Sequence, residues 1–141
     1  MDMNSVLLDT SFIITLIDST RANHSKAKEF YKHFIDNDFG IVVSTIVLSE
    51  LSVKMDLNNL PMKDWQVTVF DAVDARKTGR IEYIRSTTSG IKRDCIKDDF
   101  KIISQALNNN VDYLITDDEQ MVDKIIEKYR NEIGFHYFVT C

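Results

Sequence analysis

Val6-Leu7-Leu8-Asp9-Thr10-Ser11 is the stretch from which the fold of this chain can be read. Three apolar residues run straight into a carboxylate and two hydroxyls. A short, unbroken apolar run reads as a strand buried on both faces, Ser5–Leu8, with Asp9 at its carboxyl end. In open α/β sheets, ligands collect outside the carboxyl ends of the strands. The pattern returns at Tyr113-Leu114-Ile115-Thr116-Asp117-Asp118. Two apolar runs that deliver acids to the same edge of a sheet predict an acidic pocket there.

Around these two runs the periodicity alternates between helix and strand. Residues 11–18 form a short apolar helix candidate. Residues 23–34 form an amphipathic one, with Ala27, Phe30, Tyr31 and Phe34 inward and Lys26, Lys28 and Lys32 outward. Asn37, Asp38 and Gly40 mark a turn before a second buried strand at 41–43. Ser44 or Thr45 can cap the next helix, which carries Glu50 and is broken between Asn58 and Pro61. A β-rich segment at 65–70, a helix at 71–86 and a polar loop at 86–90 follow. A helix at 98–107 is stopped by Asn108-Asn109-Asn110. The strand Tyr113–Thr116, a helix at 118–129 and a last strand His136–Val139 complete the chain. Strands alternating with helices predict one domain over 1–141, a three-layer α/β/α fold with a central parallel sheet of four to five strands. The segments 5–8, 41–43 and 113–116 are its expected interior strands.

Bulk properties narrow the function. The chain has 141 residues, 44% of them hydrophobic, and only four glycines and one proline, which fits a single core without long linkers. A formal charge of -5 argues against a protein that coats nucleic acid generally, but not against a nuclease whose metal-binding acids add to the negative count. Cys95 and Cys141 are too few for a disulfide framework and read as reduced thiols. No apolar stretch approaches the roughly 18 residues of a spanning helix, and no signal peptide is evident at the N-terminus. A cytoplasmic protein is the expectation, without membrane attachment.

Asp9, Asp117 and Asp118 have an ordinary reading as helix caps, Asp94, Asp98 and Asp99 one as acids that complement the positive end of a helix, and Glu50 one as the partner of Lys54. Glu50 is harder to dismiss, because Ile46, Val47 and Val53 surround it at helical spacing and a buried carboxylate needs a partner or a metal. Among Asp94, Asp98 and Asp99, helical phase favours Asp99, which shares a row with Ile102, Ile103 and Ala106. Asp98 falls on a more exposed row with Lys101, Ile102 and Gln105. Asp118 aligns with Met121 and Val122, leaving Asp117 as an auxiliary. Acids that converge on one edge repel one another unless a cation is present or some stay protonated. An all-oxygen donor set favours Mg2+ or Mn2+. The scattered His24, His33 and His136 do not suggest zinc.

The order Leu8-Asp9-Thr10-Ser11, Ser49-Glu50-Leu51, Asp99-Phe100-Lys101-Ile102-Ile103-Ser104-Gln105-Ala106 and Ile115-Thr116-Asp117-Asp118 resembles the PIN domain, and within it the VapC-like toxin ribonucleases. The resemblance spans essentially the whole chain. It implies four catalytic, metal-binding acids at Asp9, Glu50, Asp99 and Asp118, with Ser11, Thr116 and Asp117 as auxiliaries. It also implies divalent-metal-dependent cleavage of RNA, a homodimer, and an antitoxin that blocks the site. The chain departs from the pattern by carrying adjacent acids, Asp98 and Asp117 among them, which leaves Asp98 against Asp99 and Asp117 against Asp118 open. Arg85, Lys92 and Arg93 flank the polar loop and are candidates for holding the RNA backbone; ordinary surface solvation is the rival reading. Helix 11–18 and the segment 51–60 carry more apolar residues than one small core requires, which points to a second copy and an antitoxin helix as their cover. The alternative function is a PIN-like RNA- or protein-binding module without catalysis. A phosphatase using Asp9 as nucleophile would want a second Asp two residues on, where Ser11 stands.

Overall fold

The computed structural model describes residues 4–88 and 97–140, and side chains outside 81–98. Five strands form one all-parallel sheet: β1 (Ser5–Leu8), β2 (Gly40–Ser44), β3 (Gln66–Thr68), β4 (Tyr113–Thr116) and β5 (His136–Val139), in the order β3-β2-β1-β4-β5. The interior strands are β2, β1 and β4, as their apolar character predicts. Val6, Leu7 and Leu8 are all fully buried, so helices cover both faces of the sheet and the fold is a three-layer α/β/α.

The chain leaves β1 through α1 (Thr10–Ile17) and α2 (His24–Asp36) to reach β2, then α3 (Thr45–Ser52) and two short 3-10 turns to reach β3. It returns through α4 (Ala72–Thr88) and α5 (Lys97–Asn108) to β4, on the other side of β1. A three-residue helix α6 (Glu119–Met121), continued as a π-helical segment (Val122–Ile126), leads on to β5. The direction of strand addition therefore reverses between β1 and β4. In open parallel sheets, that switch point is where the crevice opens.

The turns that feed β2 and β4 are built alike. Asp38 (φ 55) and Asn110 (φ 51) take the left-handed conformation, which Asn and Asp tolerate better than most residues. Phe39 N–H then reaches Phe34 O at 2.9 Å, and Val111 N–H reaches Ala106 O at 3.2 Å. Both are the six-to-one bonds of a Schellman stop. A ring cluster reinforces the first stop: Phe34 lies 5.1 Å from Phe39 and 6.4 Å from Phe12 between ring centroids.

Three expectations change. The strand expected at 65–70 shrinks to Gln66–Thr68, the residues paired with Val42–Ser44. Trp65 is instead buried ahead of it and donates its Nε1–H to Tyr31 Oη at 3.0 Å. The helix expected over 118–129 is regular for one turn only and then widens into the π segment. The apolar excess of 11–18 and 51–60 is mostly core: Phe12, Ile13, Leu51 and Leu60 are buried and Leu16, Met55 and Leu57 pack against them, leaving Ile17 and Val53 exposed. Among the described residues, no helix is long and apolar enough to cross a membrane.

Candidate active site

Asp9 continues the sheet by one residue. Its N–H donates to Ile115 O at 3.0 Å, which sets Asp9 beside Thr116 at the carboxyl edge of β1 and β4. It occupies the N-cap position of α1, yet its side chain makes no capping bond to the helix. The carboxylate turns instead to two hydroxyls: Ser11 Oγ donates to Oδ2 at 2.9 Å and Thr116 Oγ1 donates to the same oxygen at 2.8 Å. Each hydroxyl in turn accepts a backbone amide, Ser11 from Asp117 N–H at 2.9 Å and Thr116 from Asp118 N–H at 3.0 Å. Two threads of amide, hydroxyl and carboxylate thus converge on one oxygen. Hydrogen bonds in series polarise one another.

Asp9 is 5% exposed. Burial pushes its proton affinity up, the bonds from Thr116 and Ser11 pull it back, and the charge of Asp118 adds to the rise. Asp118 is half-buried and caps α6, accepting from Gln120 N–H at 2.9 Å and Met121 N–H at 3.4 Å. The cap reading therefore holds for Asp118 without removing its charge from Asp9.

Asp117 faces the other way. It accepts from Thr15 Oγ1 at 2.6 Å, from Asn23 Nδ2 at 2.9 Å and from Thr140 Oγ1. Burial works against its charge, but Thr140, Thr15 and Asn23, with Arg21 nearby, outweigh it and hold the carboxyl below the usual range. Asp117 thereby ties the end of β4 to α1, to the α1–α2 connection and to the residue after β5. Its fully engaged carboxylate marks it as a builder of the site.

Glu50 is half-buried in the second turn of α3, and Asp99 is half-buried in the first turn of α5. Both are engaged in interactions within the fold. Helix α3 packs against both α1 and α5. Among the described residues, no three acidic, histidine or cysteine side chains form one cluster able to hold a metal ion. The structure brings together Asp9, Ser11, Thr116, Asp117 and Asp118; it does not draw Glu50 and Asp99 into the same ligand cluster. Val53, read as an apolar neighbour of Glu50, lies past the end of α3 and is 84% exposed. The exposed row assigned to Asp98 is also corrected, since Gln105 and Ile102 on it are buried. Lys92 and Arg93 lie outside the described residues, as do the side chains of Arg85 and Asp98.

The donor chemistry at Asp9 fits a hard divalent cation. Its carboxylate is removed from water and pressed by a second negative charge, and a cation beside the pair would offset both penalties. Sequence reasoning missed Thr15, Asn23 and Thr140. Thr15 left a trace, as a polar residue inside an apolar helical run, whereas Thr140 left none.

Comparisons with known proteins agree with this architecture. The model of the PIN domain family matches residues 6–126. Among solved structures, VapBC2 from Rickettsia felis, bound to a DNA fragment from its promoter, is similar with a TM-score of 0.69 at 16% identity, covering 96% of this chain and 98% of that one. DNA-bound VapBC from Salmonella typhimurium aligns with a TM-score of 0.66 at 18% identity over 99% and 100% of the two chains. VapC20 from Mycobacterium tuberculosis, a toxin that cleaves the sarcin-ricin loop, aligns with a TM-score of 0.63 at 15% identity over 84% and 94%. No curated protein matches by sequence.

Proposed function

Since the chain belongs to the PIN domain family, we propose that it is a divalent-metal-dependent ribonuclease that hydrolyses RNA phosphodiesters, acting as the toxin of a toxin–antitoxin pair. The observation that carries this reading is the environment of Asp9: a buried carboxylate at the switch point of a parallel sheet, fixed by two hydroxyls and pressed by Asp118.

In this reading Asp9, Asp99 and Asp118 hold Mg2+ or Mn2+, with Glu50 joining directly or through water. When bound, the metal supplies Lewis acidity toward the phosphate and a more acidic water. The chain's own residues supply orientation. Ser11 and Thr116 fix one oxygen of Asp9, and their donation to it opposes the rise in proton affinity that burial imposes. Asp117 anchors the turn whose amides donate to those hydroxyls. Arg85, Lys92 and Arg93 hold the RNA backbone. The similarity to toxin–antitoxin complexes supports an antitoxin partner, and a homodimer and a cytoplasmic location follow from the same reading. Sedimentation at about 50 micromolar, a range set by ordinary interface affinities, is expected to show a dimer; a strict monomer would count against it.

The test is incubation of the purified chain with a mixed RNA pool. Cleavage is expected with Mg2+ or Mn2+, and none with EDTA or with Asp9→Asn. RNA left intact under both metals, but still bound, would overturn the enzyme reading in favour of a non-catalytic binding module.

A further inference from the structure

A second buried polar cluster lies where β2, α3, α4 and α5 meet. Its centre is Gln105, which is fully buried. Its Oε1 accepts from Ser44 Oγ, and its Nε2 donates to Asp74 Oδ2 at 3.4 Å. Ser44 also accepts Ile46 N–H at 3.0 Å and so caps α3. Asp74, 3% exposed, closes a reciprocal pair with Asp71 at the start of α4: each backbone N–H donates to the other's carboxylate at 3.0 Å. Asn108 Nδ2 adds a bond to Asp74 Oδ1 at 2.8 Å.

A buried amide must satisfy both of its ends. Here the acceptor end meets the start of α3 and the donor end meets the start of α4. Sliding α5 by a single residue, about 1.5 Å along its axis, breaks both bonds at once. An apolar side chain of similar volume would fill the space without such a requirement. An amide at this position therefore fixes register, which is the best-attested use of a buried polar group. The helices it fixes are α3, which carries Glu50, and α5, which carries Asp99.

We propose that Gln105 is a positioning residue for the acid site: by holding α5 against the capped start of α3, it sets the placement of Asp99 relative to Glu50. This rests on the reading of those two acids as metal ligands. The test compares the wild-type chain with Gln105→Met, Ser44→Ala and Asn108→Ala. The readouts are Mn2+ affinity by calorimetric titration, the Mn2+ concentration for half-maximal RNA cleavage, and melting without metal. Gln105→Met is expected to weaken Mn2+ binding about tenfold, as loss of a supporting partner commonly does, and to raise the metal requirement in step. Ser44→Ala should shift both in the same direction by less. Asn108→Ala, which loosens α4 against α5 without touching the link to α3, should lower the melting point and leave Mn2+ affinity in place. Wild-type Mn2+ affinity in Gln105→Met, whatever its melting point, overturns the proposal and leaves Gln105 a packing residue. If Gln105→Met does not fold, Ser44→Ala decides on the same readout. A wild-type chain that binds no Mn2+ brings down the metal-site reading and this proposal together; a wild-type chain that binds it, beside variants that bind equally, brings down this proposal alone.

Discussion

Asp9 and Asp117 stand close in the fold and are treated in opposite ways, and pH distinguishes them. Asp9 has its proton affinity raised, first by burial. A carboxyl that holds its proton more tightly folded than unfolded adds stability as pH falls through its folded-state value, levelling off below the unfolded value of 3.8. Above the folded-state value the full penalty is present. Asp9→Asn is therefore expected to raise the metal-free melting point at pH 7, by an amount that shrinks on acidification and vanishes below 3.8. Added Mg2+ should stabilise the wild type and not the variant; melting curves across pH, with and without Mg2+, check both. Asp117 is held below the usual range despite its burial, so its contribution has the reverse sign: present above 3.8 and lost as pH falls through the folded-state value. Asp117→Ala should cost about 2 kcal/mol at pH 7 in urea unfolding, since it strands the donors of Thr15 and Asn23. That the two neighbours differ so sharply was only half legible in the sequence. Asp9 announced itself by following an apolar run, whereas the partners of Asp117 come from positions up to 102 residues away.

At the scale of elements, α5 shows where periodicity serves and where it fails. The interior strands Ser5–Leu8 and Tyr113–Thr116 were legible end to end, because both of their faces are buried and polar residues bound them. Helix α5 was placed correctly, but its inner face was read too narrowly. Periodicity reports one packed side, whereas α5 is covered by α3 on one flank and α4 on another. Gln105 is buried for that reason, although polar residues usually are not. The phase argument that prefers Asp99 to Asp98 needs a direct test as a result. Asp99→Asn is expected to lower RNA turnover by at least about a hundredfold, as loss of a charged site group commonly does. If that phase is right, Asp98→Asn removes no metal ligand and should keep turnover within a few-fold. Turnover of one RNA by both variants at saturating Mg2+ decides, and an inactive Asp98→Asn would move the site by one residue. The short α6 and its π segment were not legible, since the apolar spacing of Met121, Val122, Ile125 and Ile126 fits a regular helix equally well.

The whole molecule is organised around a central strand whose two neighbours come from distant parts of the chain. β1 pairs with β2 35 residues later and with β4 107 residues later, as in Ser5 with Gly40 and Leu7 with Leu114. Loop closure over such distances is slow and must precede the contacts that reward it. This bears on biosynthesis. While the protein is being made, β1 and its acid emerge before the other four strands, and the hydroxyl of Thr116 emerges 107 residues after Asp9. Until then Asp9 lacks one of its two threads, β1 has an open edge, and the turn that carries Asp118 does not exist. A chain truncated before Tyr113 should show neither a cooperative unfolding transition by circular dichroism nor cleavage of RNA. The ribosome would therefore pass Thr116 and Asp118 before the acidic edge around Asp9 could exist, so that the order of synthesis itself delays the assembly of the site.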